Sequence, residues 1–285
     1  MPHLTPVAMT TMPYTAEQCT ALPDTRFVYL ELKHREHLLE IRLNRPEKRN
    51  AFDPVLVREL AFAMSYAHHS SAVWAVLLAA NGPVFCAGAD LKAFAGMAQE
   101  DPGSGVPAAS GEIALGDLFR RLHKPCIARV HGDVHAGGFL LIGGCTHVVA
   151  ARGTRFSLPE VERGIWPMQV MATLADLMPA RQLLDWCMRG LSLTAEEAQQ
   201  RGVVTQVVEP DDLDATVDTL LGQILSKSPS AIRLGLQAWD ELRAIDPQEQ
   251  HPFLQQMLAK TLQTRDAREG LAAFREKRTP AWTGE

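Results

Sequence analysis

Short apolar runs that alternate with helical patterns constrain this chain more than any other feature of its sequence. Continuous apolar stretches, typical of buried strands, occur in "AVWAVLLAA", in "CIARVHG" and in "HVVAAR". Apolar residues at helical spacing lie between them, over residues 54–68 and 113–123, and a further helix is predicted from Gly137. Repeated strand–helix–strand units predict an α/β fold with right-handed crossovers.

The two ends of the sequence differ from this central part. "FVYLELKHREHLLEIRLN" contains two apolar runs separated by "KHRE", which predicts a hairpin. After Leu193 the sequence becomes charged and helical, and "TAEEAQQRG" has the spacing of a helix capping box. We therefore divide the chain into a flexible N-terminal extension (residues 1–25), a core (26–193) and a helical C-terminal region (194–285).

Composition and charge exclude several classes of function. The 285 residues carry a net charge of −5, which argues against sequence-independent nucleic-acid binding, although "NRPEKRN" could form a local basic patch. Its longest apolar stretches fall well short of the roughly 18 residues that span a membrane. The cysteines form no Cys-x-x-Cys pair, and residues 1–25 contain no Lys or Arg. His131 and His135 lie at a strand end with a Gly between them, an arrangement that we do not expect to hold a metal. We expect a cytoplasmic protein without a metal.

Two turns of small residues follow predicted strands, and both are candidates for binding a ligand through the backbone. "PVFCAGADLKAF" has Cys, Ala, Gly and Ala before Asp90, and "VHGDVHAGGFLLIGG" places Gly137 where a strand runs into a helix. Small side chains let a ligand approach backbone N–H groups, which stabilise an oxygen that gains negative charge. The N–H groups of Ala89 and Gly137 could form such an oxyanion hole, although close packing alone would also require small residues.

Six blocks of the sequence carry a family resemblance: "NRPEKRNAF", "GPVFCAGADLKAF", "HGDVHAGGFLL", "FSLPEVERGIWP", "GLSLTAEEAQQRGVVTQVV" and "REGLAAFREKRTPAWTG". Over residues 27–284 the chain resembles the enoyl-CoA hydratase/isomerase, or crotonase, family. The resemblance implies a crotonase-like ββα-spiral core and a C-terminal helical region that forms trimers, which pair into hexamers in many members. It also implies an acyl-CoA thioester as substrate, with no cofactor beyond the coenzyme A of that substrate.

The resemblance also implies roles for individual residues. The N–H groups of Ala89 and Gly137 would bind the thioester carbonyl and stabilise the enolate formed when the α-proton leaves. Glu160, in "SLPEVERG", would be the catalytic base, with its pKa raised by apolar surroundings. A surface or helix-capping role is the alternative for this carboxylate. The family has a second glutamate position in the helix after Gly138, and Leu140 occupies it here.

The absence of the second glutamate affects which reaction we expect the chain to catalyse. Hydratases of the family hold a water molecule between two carboxylates, whereas Δ3,Δ2-enoyl-CoA isomerases can move a proton between the α- and γ-carbons with one. Leu140 therefore favours isomerisation slightly over hydration. Glu112, Asp117 or His135 could instead supply the second acid of a hydratase. A chain that keeps the ligand site without catalysis would be an acyl-CoA-binding protein.

Other candidate residues would bind the substrate. Trp166 could shape a short or branched acyl site, or could simply belong to the core. Residues 95–111 form a loop rich in Gly, Pro, Ala and Ser that we expect to cover the acyl chain. Asp90 is expected to satisfy backbone donors at a helix start. The predicted substrate-binding residues are Ala87, Gly88, Asp90, Gly138, Leu140 and Trp166, with Lys48, Arg49 and a neighbouring subunit's Lys277 at the coenzyme A phosphates.

Overall fold

The computed structural model describes residues 12–94 and 103–285. These residues form ten strands of three to six residues each. The strands are Leu30–Arg35 (β1), Leu38–Leu43 (β2), Ala75–Ala80 (β3), Val84–Cys86 (β4), Cys126–Val130 (β5), Asp133–His135 (β6), His147–Ala151 (β7), Arg155–Ser157 (β8), Ser192–Thr194 (β9) and Gln206–Val208 (β10).

The strands divide between two sheets in a regular manner. The larger sheet has the order β1-β2-β3-β5-β7-β10 and the smaller one the order β4-β6-β8-β9. Along the chain, β3, β5 and β7 join the larger sheet, and each is followed at once by a strand of the smaller sheet. β1 is antiparallel to β2 and β9 to β8, whereas the other pairs are parallel. Each turn of this spiral thus contributes one strand to each sheet.

Helices follow the strand pairs and make up most of the C-terminal region. They are Ala16–Cys19 (α1), Pro54–His69 (α2), Leu91–Phe94 (α3), Leu115–Arg120 (α4), Phe139–Ile142 (α5), Met168–Leu174 (α6), Ala180–Arg189 (α7), Ala195–Gln200 (α8), Leu213–Leu225 (α9), Pro229–Leu242 (α10), Gln250–Leu262 (α11) and Arg265–Glu276 (α12). In the part of the chain that the structure describes, no helix is long and apolar enough to cross a membrane.

The helix α2 shows how the local sequence leads to the core. Asp53 caps its first turn, where the carboxylate accepts a hydrogen bond from Leu56 N–H at 2.9 Å, and Pro54 occupies the first helical position. The helix is buried on several sides, since residues 60–65 are all buried, and side chains such as Leu56, Leu60 and Phe62 are buried completely. Burial of each such side chain contributes about 1.5–3 kcal/mol. This packing fixes the helix against β1, the N-terminal segment and α4.

The structure confirms the α/β architecture and most predicted elements. The hairpin is present as β1 and β2, and the helix predicted over residues 54–68 is α2. The capping box is also present, because the Thr194 hydroxyl accepts from Glu197 N–H at 3.1 Å and the Glu197 carboxylate accepts from Thr194 N–H at 2.7 Å. One strand lies beyond the boundary drawn at residue 193: β10 joins the larger sheet beside β7. The helical region therefore contributes to the core as well.

The N-terminal segment differs from the flexible extension expected over residues 1–25. Residues 1–11 lie outside the described part, but Tyr14 is almost fully buried, edge-on to Phe62 at a centroid distance of 5.0 Å. Its hydroxyl donates to Pro107 O at 2.8 Å. Met12, Cys19 and Leu22 of the same segment are buried in the core as well. The Tyr14 ring stabilises this packing, because its burial removes much apolar surface from water.

The predicted covering loop, residues 95–111, is described only from residue 103 onwards. This part packs on the N-terminal segment and on α2. Gly105 N–H donates to Arg26 O at 2.9 Å, and the Ser104 hydroxyl donates to the fully buried Glu59 carboxylate at 2.7 Å. The role expected for residues 95–102 over the acyl chain stays a prediction.

Candidate active site

Three turns that follow strands of the smaller sheet meet at one edge of it. β4, β6 and β8 are parallel neighbours, so their carboxyl-terminal ends lie side by side. The chain leaves β4 in an irregular turn and leaves β6 and β8 in the 3₁₀-helices Ala136–Gly138 and Pro159–Arg163. This topology brings together Ala89, Gly137 and Glu160, which are far apart in the sequence.

The first two turns approach each other so closely that two positions require glycine. Gly88 has a φ angle of +90°, and a Cβ atom built on it would lie 2.8 Å from Gly137 N. A Cβ atom on Gly137 would lie 2.7 Å from the ring of Phe52 and 3.3 Å from Ala89 N. Because neither glycine carries a side chain, the turns can approach this closely, and the backbone N–H groups of Ala89 and Gly137 could bind a single ligand oxygen together.

The turn after β4 is held by backbone hydrogen bonds to Phe52. Phe52 N–H donates to Gly88 O at 2.9 Å, and Asp90 N–H donates to Phe52 O at 2.8 Å. Ala89 lies between these two bonds and its N–H takes part in neither. The bonds on both sides therefore fix the direction of the Ala89 N–H without using it.

The second turn contains a strained residue. Ala136 has a φ angle of +50°, in the left-handed region that a residue with a side chain seldom adopts. This conformation costs about 1–2 kcal/mol compared with the right-handed one. The strain lies in the residue directly before Gly137, at the edge where the three turns meet.

Glu160 is a buried carboxylate with an unusual environment. Its side chain belongs to a residue only 8% exposed, and Oε2 has no hydrogen-bond partner within the described residues. Burial raises the pKa of Glu160 above its usual value, and its own backbone N–H and the charge of Arg163 offset only part of this effect. A carboxylate that is partly free and less acidic than usual is suited to accept and return a proton.

Ala89, Gly137 and Glu160 line a single cavity of about 850 Å³. Its wall includes Leu140, which is buried at the position where the sequence resemblance places a second glutamate. The predicted binding residues Ala87, Asp90, Trp166, Lys48 and Arg49 line it as well, together with the apolar side chains of Ile165, Met168 and Val170 and the basic ones of Lys92 and Arg163. The cavity thus has an apolar wall beside Glu160 and four basic side chains.

Asp90 has the structural role that the sequence analysis expects. Its carboxylate accepts from Lys92 N–H at 3.2 Å and from the Arg45 guanidinium at 3.1 Å. Burial raises the pKa of Asp90, but the bonds from Arg45 and from the backbone N–H groups of Ala93 and Lys92 outweigh it, so the pKa is lowered overall. Asp90 therefore remains a paired carboxylate and is unsuited to act as a base near neutral pH.

The alternative second acids do not line the cavity. Asp117 forms ion pairs with Arg120 at 3.0 Å and with Arg121 at 2.9 Å, on α4. Glu112 is exposed in the segment before α4. His135 lies beside the second turn, but its Nδ1 is 2.6 Å from the hydroxyl of Ser157 and the side chain does not reach the cavity wall. None of the three faces Glu160 across the cavity.

Three further predicted residues, Gly88, Gly138 and Lys277, lie outside the cavity wall. Gly88 instead allows the close approach of the first two turns. Gly138 is buried behind the second turn, where a Cβ atom would lie 3.0 Å from Cys86 O, so its role is close packing. Lys277 is exposed at the end of α12. Its contact with a substrate held by a neighbouring subunit stays a prediction.

The sequence analysis missed three residues of this site. Phe52, which holds the first turn, ends the block "NRPEKRNAF", and Arg45 lies near the start of the same block. Arg163 follows Glu160 by three residues in "PEVERG". Each lies within a stretch already assigned to the site, but only the fold shows which of its side chains face the cavity or the turn.

Comparisons with known proteins agree with this arrangement. The sequence profile of the enoyl-CoA hydratase/isomerase family matches residues 33–285. The chain belongs to the enoyl-CoA hydratase/isomerase family. It is 32% identical to the mevalonyl-coenzyme A hydratase sidH of Aspergillus fumigatus, over 86% of this chain and 91% of that protein. It is 33% identical to the carnitinyl-CoA dehydratase of Salmonella arizonae, over 90% of this chain and 98% of the relative.

Solved structures of the family share the fold. An enoyl-CoA hydratase of Mycobacterium tuberculosis H37Rv superposes with a TM-score of 0.79 at 30% identity, over 90% of this chain and 99% of the other. An enoyl-CoA hydratase of Bacillus anthracis gives a TM-score of 0.80 at 28% identity, over 90% of this chain and 100% of the other. The predicted crotonase fold is therefore confirmed, and as a member of this family the chain acts on coenzyme A thioesters.

A related protein of the rat is named as mitochondrial, so the comparisons leave the expected cytoplasmic location open.

We expect Gly137→Val to lower the turnover of an enoyl-CoA substrate at least about 100-fold, because the new side chain would fill the space in front of Ala89 N–H. Gly235→Val is the matched control, since a Cβ atom on Gly235 meets nothing within 4 Å. Steady-state kinetics and circular dichroism test both variants. A folded Gly137→Val variant with parental kcat would contradict the role given to this turn.

The raised pKa of Glu160 also predicts a pH-dependent stability difference. The folded protein holds this proton more tightly than the unfolded chain, so ionisation of Glu160 destabilises the fold as the pH rises through its raised pKa. Glu160→Gln should therefore gain stability relative to the parental protein between about pH 4 and pH 7.5. Urea unfolding at both pH values measures the gain. A pH-independent difference for Glu160→Gln would refute the raised pKa.

Proposed function

We propose that the chain is an enoyl-CoA isomerase or hydratase in which Glu160 is the single acid–base residue, with double-bond isomerisation favoured over hydration. The observation that carries the proposal is one buried, partly unpartnered carboxylate in the same cavity as the N–H groups of Ala89 and Gly137. Leu140 stands where a second carboxylate would be. The proposed chemistry uses no cofactor other than the coenzyme A of the substrate.

In the proposed reaction, the thioester oxygen of a 3-enoyl-CoA accepts hydrogen bonds from Ala89 N–H and Gly137 N–H. Glu160 removes a proton from the α-carbon, and the resulting enolate spreads its charge over the oxygen and the γ-carbon. The two N–H groups stabilise this charge because they point at the oxygen before the reaction begins. The protonated Glu160 then returns the proton to the γ-carbon, which yields the conjugated trans-2-enoyl-CoA.

The lining of the cavity supports one acid rather than two. Of its other carboxylates within the described residues, Asp90 is paired with Arg45 and Glu47 is exposed. The Leu140 side chain can neither accept a proton nor hold a water molecule for attack. Proton transfer within the substrate needs neither a second acid nor a bound water, so it fits this lining best.

Hydration is the second candidate. Relatives carry the names mevalonyl-coenzyme A hydratase and carnitinyl-CoA dehydratase, and both names describe the addition or loss of water. If this chain adds water, Glu160 alone must both activate the water and protonate the α-carbon. The acyl wall formed by Leu140, Trp166 and Val170 supports a short or branched acyl group in either reaction.

The basic side chains of the cavity support coenzyme A as the carrier. Lys48, Arg49, Lys92 and Arg163 are exposed on its lining. Phosphate groups of coenzyme A would bind such cations, whereas a free acid or a simple ester would leave most of them without a partner. We keep a cytoplasmic location as part of the proposal, since all five cysteines are free thiols.

The C-terminal helices support assembly into a trimer or a pair of trimers. They expose large apolar side chains, among them Phe274 at 84%, Trp239 at 68% and Leu258 at 58%. A soluble monomer seldom exposes so many large apolar groups on neighbouring helices. Copies of the same chain are the partner that the family resemblance implies.

The function is tested by incubating the protein with a 3-enoyl-CoA and with a trans-2-enoyl-CoA while the absorbance of the conjugated thioester is recorded. Isomerisation increases this absorbance from the first substrate, and hydration decreases it from the second. We expect Glu160→Gln to lower kcat at least about 100-fold while acyl-CoA binding is kept. Glu162→Gln, on the same 3₁₀-helix but exposed, is the control and should keep parental activity.

Full activity of Glu160→Gln on every substrate would show that the base lies elsewhere. No reaction of the parental protein across acyl chain lengths, together with tight binding of acyl-CoA, would support the non-catalytic binding protein instead.

Assembly is tested separately by light scattering at micromolar concentration. The chain mass is 31.3 kDa, so we expect a particle of about three or six times this mass. Phe274→Glu should shift the population towards smaller species, because a charge would be buried in the interface. A parental monomer at this concentration would contradict the proposed trimer.

A further inference from the structure

Arg45 is a buried arginine just behind the turn that carries Ala89. It is only 4% exposed, and its guanidinium lies 3.1 Å from the Asp90 carboxylate and 3.2 Å from the Asp53 carboxylate. It also donates to Ala51 O at 2.7 Å and stacks over the Tyr29 ring at 4.9 Å from the centroid. One side chain thus connects the end of the β2 segment with two separate turns.

The two carboxylates that Arg45 binds are adjacent in sequence to the residues that set the direction of the Ala89 N–H. Asp90 follows Ala89 directly, and Asp53 follows Phe52, whose backbone pairs on both sides of Ala89. Asp53 also caps α2 and Asp90 accepts from Lys92 N–H, so each carboxylate is fixed to a helix start. Arg45 therefore connects the turn that contains Ala89 and Asp90 with the segment that contains Phe52 and Asp53.

The contacts of Arg45 depend on the shape of its guanidinium as well as on its positive charge. Two nitrogen atoms of the rigid guanidinium make these contacts: Nη1 donates both to the Asp90 carboxylate and to Ala51 O, and Nη2 forms the ion pair with the Asp53 carboxylate. Among the described residues, Nε of Arg45 and Oδ2 of Asp53 have no hydrogen-bond partner. An ammonium carries the same charge, but its single nitrogen atom could replace Nη1 or Nη2 and not both. Its charge alone would also do nothing for the thioester oxygen, because Arg45 is paired with two carboxylates.

We infer that Arg45 is a positioning residue for the oxyanion hole, which acts by fixing the turn that carries the Ala89 N–H through Asp90 and Asp53. This inference rests on the proposed function, since it assigns Arg45 to the hole in which the thioester carbonyl is polarised. Displacement of a catalytic group by about 1 Å can cost about 100-fold in rate. Arg45 thus affects the chemical step without touching the substrate.

The test uses Arg45→Lys and Asp90→Ala with a chromophoric ligand, para-aminocinnamoyl-CoA. The absorption band of this ligand moves to longer wavelength when hydrogen bonds polarise its thioester carbonyl. We expect the parental protein to produce the shift and both variants to produce much less of it, with dissociation constants that change less than about threefold. On the enoyl-CoA substrate, kcat should fall about 10- to 100-fold and KM should change little.

Arg42→Lys is the matched control, because Arg42 is also paired with a buried carboxylate, that of Glu40, but is not part of the cavity lining. It should keep the parental band shift and kcat. If Arg45→Lys fails to fold, Asp90→Ala still tests the positioning role. Asp90 is partly exposed, and its replacement removes the ion pair between Arg45 and the turn that carries Ala89. A parental band shift and kcat in folded Arg45→Lys or Asp90→Ala would overturn the positioning role alone. A parental protein that binds the ligand without any shift would overturn the proposed function as well.

Discussion

The site depends on the close approach of two turns that lie about fifty residues apart in the sequence. Gly88 and Gly137 allow this approach, because a side chain on either would collide with the backbone or with Phe52. The approach places two backbone donors in one cavity, and the spiral of strand pairs brings Glu160 to the same edge of the smaller sheet. The arrangement of the two sheets is thus the condition for the proposed chemistry.

The site also lowers the stability of the folded protein, and packing in the surrounding structure offsets this loss. Glu160 is buried with one oxygen that has no partner among the described residues, Ala136 is strained, and Arg45 is removed from water together with its carboxylate partners. Each feature lowers the stability of the fold by itself. The extensive apolar core formed by the larger sheet, α2 and the neighbouring helices compensates, as is usual where a rigid scaffold carries a functional site.

The sequence predicted the fold and much of the cavity because both are encoded locally. Alternating apolar runs predicted the strand–helix units, turns of small residues pointed to Ala89 and Gly137, and the family resemblance pointed to Glu160 and to the spiral fold. Features that depend on contacts between segments far apart in the sequence could not be predicted from the sequence. The pairing of Arg45 with Asp90 joins residues 45 positions apart, the burial of Tyr14 depends on the ring of Phe62, and β10 joins the sheet across 57 residues or more. The candidate acids Glu112, Asp117 and His135 are not part of the cavity lining, which the sequence alone does not show.

The central claim is that the cavity forms an enolate of an acyl-CoA through Ala89, Gly137 and Glu160. Exchange of the α-protons of a saturated acyl-CoA such as butyryl-CoA with D₂O tests it directly, because the exchange requires the enolate but neither hydration nor isomerisation. Mass spectrometry should show deuterium at the α-carbon with the parental protein at a rate well above that of the buffer. A protein that binds butyryl-CoA and other saturated acyl-CoAs but leaves their α-protons unexchanged would contradict the account.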